Sequence, residues 1–408
     1  MNASSLQPVA PAERIVLLDV VRGFALLGIL LMNIEGFVGP LNAALTGVNP
    51  ALTGIDRLAD ALVYFFVQGK FYTLFSLLFG MGFAVMSSRA EAARRPFVPV
   101  YLRRSAGLLV IGLAHALLLW SGDILVSYAL LSLLLLAFAE APTRWLPALG
   151  LIVYLLAPAW VLLFGAIGSL GQDDPNFQQQ IAEVGAQWWH ALEAQRQAFG
   201  AGSYAQATAQ RASDLLETLR GLLINGPAML GMFLLGAWFA RSGAIAEPQR
   251  HARLFALLRW VALPLGLLAM AASYRLAPWM DPARLDLTVS LAWALAAVAN
   301  LLMCLGYLAW VARWALALRW LAPAGRMALS NYLLQSLVCT LLFYGYGLGL
   351  FERLPRAWQI PFALALFAAQ VWASQAWLRA FRFGPMEWLW RAFTYLQWPP
   401  LRRRNSAN

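Results

Sequence analysis

Apolar runs of about twenty residues recur ten times along this chain, at 15–38, 62–87, 104–121, 123–140, 145–168, 218–240, 255–274, 287–311, 327–348 and 358–378. That is the length at which an α-helix crosses ~30 Å of hydrocarbon. In lipid each backbone N–H and C=O must be satisfied inside the spanning segment, so runs like these can only be used as helices. The composition agrees: 61% of the 408 residues are hydrophobic and 12% are charged, where a soluble domain has about half and a quarter. The expected fold class is all-α, a polytopic transmembrane helical bundle of about ten spans in a lipid bilayer. The first run carries Asp19 and Arg22 and lacks a small-residue cleavage site, so it is read as a span and not a removable leader.

Charge placement orients the bundle. A net charge of +11 would point to nucleic acid on a soluble chain. Here the basic residues follow the loops. Of the 30, all but Lys70 are arginine; twenty fall in inner segments, nine in outer ones, and Arg22 lies within the membrane. The positive-inside rule then puts both termini in the cytoplasm, with ten crossings and no nucleic-acid partner. Cys304 and Cys339 both fall inside spans and offer neither a disulfide framework nor metal-type spacing, so no metal site is expected.

The chain divides into five parts. Residues 1–12 read as a disordered tail and 13–169 as a five-span half. The polar, Gln-rich segment 170–217 has a helical period broken by glycines at 200–202 and reads as an extracytoplasmic helical cap. A second five-span half follows at 218–381, without internal repeat of the first. Residues 382–408 form a cytoplasmic interfacial helix and a basic tail. In FGPMEWLWRAF, 383–393, Pro385 suits a first helical turn, Glu387 and Arg391 can pair four apart, and Trp388 and Trp390 suit an interface.

Polar side chains inside spans are costly and therefore candidate sites. On the first helix Asp19, Arg22 and Asn33 fall within roughly 60° of one another at 100° per residue. They are either a structural ion pair with a packing amide or one polar seam, in which Arg22 offers a fork for a phosphate. In GLAHALLLWSGDIL, 112–125, His115 stands about 16 Å beyond Arg104 at 1.5 Å per residue. An imidazole there can act as a general base without a permanent charge in the bilayer. Asp123 lies about 12 Å further along if the helix continues, which excludes a local dyad of the two. In GRMALSNYLLQS, 325–336, Asn331 and Gln335 share a face behind Arg326, either bonding neighbouring helices or lining a cavity. The glycines of FSLLFGMGFA, 75–84, suit close helix packing; no strand precedes them, so a nucleotide loop is excluded.

RIVLLDVVRGFALLGILLMNI, GLAHALLLWSGDILVSYALL, and the pair GRMALSNYLLQS with FGPMEWLWR together resemble the YeiB-like family of bacterial inner-membrane proteins, domain of unknown function 418, over essentially the whole chain. The first-helix pattern LD-x-x-RG is similar to one in the transmembrane acyltransferase superfamily, which includes sugar O-acyltransferases and the lysosomal heparan glucosaminide acetyltransferase. The resemblance implies a multi-pass inner-membrane enzyme that takes an acyl group from cytosolic acyl-CoA, as co-substrate, and delivers it to a small-molecule or glycan acceptor on the far side. It implies His115 as the catalytic histidine and Arg22 as the first-helix arginine.

Under that expectation Arg22, with Asp19, Arg103 and Arg104, binds the donor. His115 and Asp123 are catalytic, and Asn33, Asn331, Gln335 and Arg326 line the cavity. Two other readings stand beside it. A transporter of a polar or lipid-linked solute would use the same seam without covalent chemistry, and a scaffold would use the polar residues only to hold helices together.

Overall fold

A computed structural model describes residues 15–403. The expected tail at 1–12, and the basic tail from Arg404 onward, lie outside the described residues. The helices are α1 (Val16–Val38), α2 (Leu41–Ala44), α3 (Gly54–Phe66), α4 (Lys70–Ala92), α5 (Phe97–Leu118), α6 (Leu125–Leu135), α7 (Leu146–Leu170) and α8 (Pro175–Gly200). They continue as α9 (Tyr204–Arg241), α10 (Ala252–Leu257), α11 (Leu263–Leu276), α12 (Leu287–Arg313), α13 (Ala322–Arg326), α14 (Ala328–Phe343), α15 (Arg356–Ala380) and α16 (Pro385–Tyr395). Among the described residues there is no strand, only two isolated bridges. The protein is a polytopic all-helical bundle.

Each of the ten apolar stretches is helical, but they are not alike. Among the described residues, seven helical segments are long and apolar enough to cross a membrane: α1, Gly54–Ala92, α5, Thr143–Leu170, α9, Ala252–Leu276 and α12. The apolar helices at Leu125–Phe138 and Ala328–Phe343 are shorter. The tenth, α15, has 25 residues, and Arg356, Gln359, Gln370 and Ser374 are buried along it. The expected single span at 62–87 is also two helices. Gly69 adopts a φ of +83°, and the chain turns between Phe66 and Lys70. Lys70 Nζ then donates to the Tyr64 carbonyl at 2.9 Å, satisfying an acceptor that the end of α3 leaves open.

Lipid tails are as apolar as leucine, so close contact and hydrogen bonds hold such helices together. The crossing of α4 and α9 shows the first. A Cβ on Gly236 would stand 1.9 Å from the Leu77 carbonyl oxygen, and one on Gly80 would stand 1.9 Å from that of Phe233. The two backbones therefore touch at the two glycines. Gly82, in the same sequence run, faces open space.

The cap and the bundle share a helix. A capping box of Ser203 and Gln206 starts α9, which then runs unbroken for 38 residues across the 217/218 boundary to Arg241. The connection at 201–203 separates it from α8. Exposed Arg196 on α8 binds Glu352 at 2.9 Å, and Gly345 N–H donates to the Phe199 carbonyl at 2.7 Å, tying the cap to the segment after α14.

Gly236→Ala is expected to cost about 1–3 kcal/mol by overpacking and to lower the thermal unfolding temperature in detergent. Gly82→Ala should leave it unchanged. Equal behaviour of the two variants would show that the α4–α9 contact is not tight.

Candidate functional site

The helix that carries His115 ends at Leu118, short of the expected span end at 121. Leu119 and Trp120 N–H groups both donate to the His115 carbonyl at 2.9 Å, closing the end of α5. Trp120, almost fully buried, then anchors the turn: its ring lies 4.1 Å from that of Phe37, and its indole N–H donates to the Gly36 carbonyl at 3.3 Å. A Cβ on residue 122 would come within 2.2 Å of the Trp120 ring, so only glycine lets the chain pass here. Asp123 follows, and its Oδ1 accepts from the Val126 N–H at 2.8 Å, capping the first turn of α6.

This reversal overturns the expectation that His115 and Asp123 stand apart. His115 Nδ1 lies 2.6 Å from Asp123 Oδ2. On the other side of the ring, Nε2 lies 2.8 Å from Ser336 Oγ of α14. With Asp123 ionised, Nδ1 carries the ring proton and donates it to the carboxylate, and Nε2 accepts from the serine hydroxyl. Relative exposures of 7% for Asp123, 1% for His115 and 0% for Ser336 place the whole chain out of water. Tyr332, one turn before Ser336, covers it: its ring is 5.0 Å from the imidazole and its hydroxyl donates to the Gly122 carbonyl at 3.3 Å.

The cap completes the support. Tyr204 hydroxyl donates to the Leu118 carbonyl at 2.8 Å. Fully buried Arg211 reaches the Leu117 carbonyl at 3.5 Å and the Tyr346 hydroxyl at 2.7 Å. A cation at the open carbonyls of a helix C-terminus offsets the dipole there.

From the end of the bundle where α1 begins and α16 packs, a cavity of about 150 Å³ reaches toward this chain. Its lining includes Arg22, Arg104 and Trp390 at one end and Ile124, Leu125 and Tyr332 at the other. Asp19 Oδ1 accepts from Arg22 at 3.2 Å, and the Arg104 guanidinium lies 3.9 Å above the Trp390 ring. Arg103 is directed elsewhere, donating to the Thr394 carbonyl at 3.0 Å. The structure thus brings Asp19, Arg22 and Arg104 to one mouth and leaves Arg103 out.

The other expected lining residues are taken up by packing. Asn331 donates to Ser374 and Gln335 to Gln370, both at 2.9 Å, and Gln370 in turn donates to the Asn331 carbonyl at 2.9 Å. Arg326 donates to the Arg382 carbonyl at 3.4 Å, and Asn33 is half-buried on α1. None of the four lines the cavity. Glu387 turns to α14, where its carboxylate accepts from the N–H groups of Leu329 and Ser330 at 2.7 and 3.1 Å and from the Ser330 hydroxyl at 2.5 Å. Burial pushes the Glu387 carboxyl up, against the pull of those hydrogen bonds.

Two groups escaped the sequence reading. Tyr332 and Ser336 are four apart on α14, one residue after each amide, so that helix presents one polar face to α15 and another to His115. The pattern was available in the spacing. Near the cap, Arg356 binds Glu35 and Asp60, each at 2.9 Å. Asp60 precedes the expected span at 62–87, and only the turn at Gly69 brings it into the bundle.

Fold and site together define a polytopic integral membrane protein with a buried acid–imidazole–hydroxyl chain beside an arginine-lined cavity. The family described as "Protein of unknown function (DUF418)" matches residues 239–397, and the chain belongs to it. It is 35% identical over 420 residues to the uncharacterized protein YxaH of Bacillus subtilis, covering 99% of this chain and all of that one. With the uncharacterized protein YeiB of Escherichia coli it shares 34% identity over 396 residues, 94% of this chain and 96% of the relative. No solved structure matches at a significant level.

Asp123→Ala is expected to cost about 1–3 kcal/mol, the penalty for leaving buried donors unsatisfied, seen as a lower melting temperature in detergent. Asp123→Asn keeps an acceptor for Val126 and should lose less. An Ala variant as stable as wild type would show that the carboxylate does not hold the turn.

Proposed function

We propose that this protein is an acyltransferase of the bacterial inner membrane, moving an acyl group from cytosolic acyl-CoA to an extracytoplasmic hydroxyl, such as that of a sugar. The observation that carries the reading is the position of the Asp123–His115–Ser336 chain beyond the deep end of an arginine-lined cavity. A histidine held by a carboxylate on one nitrogen and facing a hydroxyl with the other has the geometry of a general base.

Arg22, oriented by Asp19, and Arg104 meet the donor's phosphates at the cytoplasmic mouth. The apolar walls formed by Phe75, Leu78, Phe79 and Leu108 receive the acyl–pantetheine arm. About 16 Å separates Arg104 from His115 along α5 at 1.5 Å per residue. His115 Nε2 takes a proton from the attacking hydroxyl as the new acyl–oxygen bond forms. The thioester C–S bond breaks, and the leaving thiolate collects that proton. Asp123 keeps the ring in the tautomer this requires. The cap of α8 and the start of α9 lies on the acceptor side.

The test is acetyl-CoA and longer acyl-CoA binding to the purified protein in detergent. Saturable binding is expected for wild type, weakened at least tenfold in Arg22→Ala. His115→Ala should retain binding and lose 10²–10⁴-fold in transfer, the usual worth of a general base. Unchanged transfer in that variant removes the assigned role. Failure of every acyl-CoA to bind folded protein removes the donor.

A further inference from the structure

We infer that Ser336 is the nucleophile of this site and carries the acyl group as an oxygen ester between donor and acceptor. The inference rests on the acyltransferase reading for its donor and goes beyond it in dividing the transfer into two steps.

A serine inside a membrane helix ordinarily satisfies itself by donating to the carbonyl one turn back. Here that carbonyl, of Tyr332, is 3.5 Å from Ser336 Oγ, at the limit of a hydrogen bond, while His115 Nε2 is 2.8 Å away. The hydroxyl is thus directed at a base, and the base is directed by Asp123 at 2.6 Å. Nucleophile within reach of base, and base held by a third group, is the arrangement that activates a weak alcohol. Tyr332 is the side chain of α14 shared by the cavity wall and the imidazole contact, so Ser336 stands one helical turn behind the cavity lining.

In the first step Ser336 Oγ bonds to the thioester carbonyl carbon and its proton passes to His115 Nε2. The C–S bond breaks, and CoA leaves as the thiol with that proton. In the second step the acceptor hydroxyl attacks the serine ester and gives its proton to Nε2. The ester C–O bond breaks, and Ser336 recovers its proton. No oxidant or further reactant is needed. A stable ester also separates donor departure from acceptor arrival, which suits substrates that come from opposite sides of a membrane.

The experiment uses the full chain in detergent with radiolabelled acetyl-CoA, acid quenching and peptide mass mapping, plus a fluorophosphonate probe that labels activated serines without any acyl-CoA. The expected result is a burst of about one CoA per chain, with acetyl on Ser336, abolished in Ser336→Ala and His115→Ala. Ser336→Cys should move the label to a thioester cleaved by neutral hydroxylamine, a change no structural role produces. If Ser336→Ala turns over at the wild-type rate, the serine is not the nucleophile, while the acyltransferase reading stands with direct transfer. If no acyl-CoA is consumed, the donor assignment fails, and the probe decides the serine. Labelling at Ser336 that depends on His115 upholds an activated nucleophile, and absence of labelling overturns it.

Discussion

A carboxylate cannot stay charged and alone in hydrocarbon, and much of this molecule's local architecture follows from how Asp123 is accommodated. Its two oxygens are spoken for by the His115 ring and the Val126 N–H. Meeting the ring requires α5 to end within one turn of His115 and the chain to reverse in six residues. The reversal in turn requires a large side chain to anchor it, supplied by Trp120, and a residue without a side chain beside that anchor, supplied by Gly122. It also leaves carbonyls open at the end of α5, which Tyr204 and Arg211 fill from the cap. Short α6 is the remainder: residues spent on the turn are not available to the helix.

The short helix α14 obeys a similar logic. With little apolar length of its own, it is fixed by hydrogen bonds on three sides. Asn331 and Gln335 bind α15, Ser336 and Tyr332 face α5 and the turn, and Glu387 caps its start from α16. Hydrogen bonds between helices contribute about 1 kcal/mol each in a bilayer, so their number here matters more than any one. The same economy explains why two amides expected to face a cavity do not: an amide buried without partners costs more than one that bonds a neighbour.

The fold was legible because lipid makes length and apolarity nearly sufficient. Runs such as 287–311 and 145–168 needed nothing more than counting. What counting missed were breaks inside apolar sequence. The run 62–87 contains Gly69, which does not lower hydropathy enough to register. The boundary between 104–121 and 123–140 did register at Gly122, but the earlier end of α5 at Leu118 and the reversal after it did not. Both breaks are set by tertiary contacts: Lys70 reaching back to Tyr64, and Trp120 seated against Phe37. For the site, His115, Asp123, Arg22, Asp19 and Arg104 could be picked out as polar residues in the wrong solvent. Their mutual geometry could not, because a straight-helix ruler holds only while the helix is straight. Ser336 is small and common in such helices; its spacing of four from Tyr332 was legible, but only its distance from an imidazole gives it a role.

Trp390 and Glu387 lie three residues apart on α16, one in the wall of the cavity and the other holding the first turn of α14. One short helix therefore makes two contacts in different places. One of them lines the cavity, and the other holds the first turn of the helix that bears Tyr332 and Ser336. The cavity wall and the helix that carries the buried hydroxyl are thus joined by one piece of secondary structure.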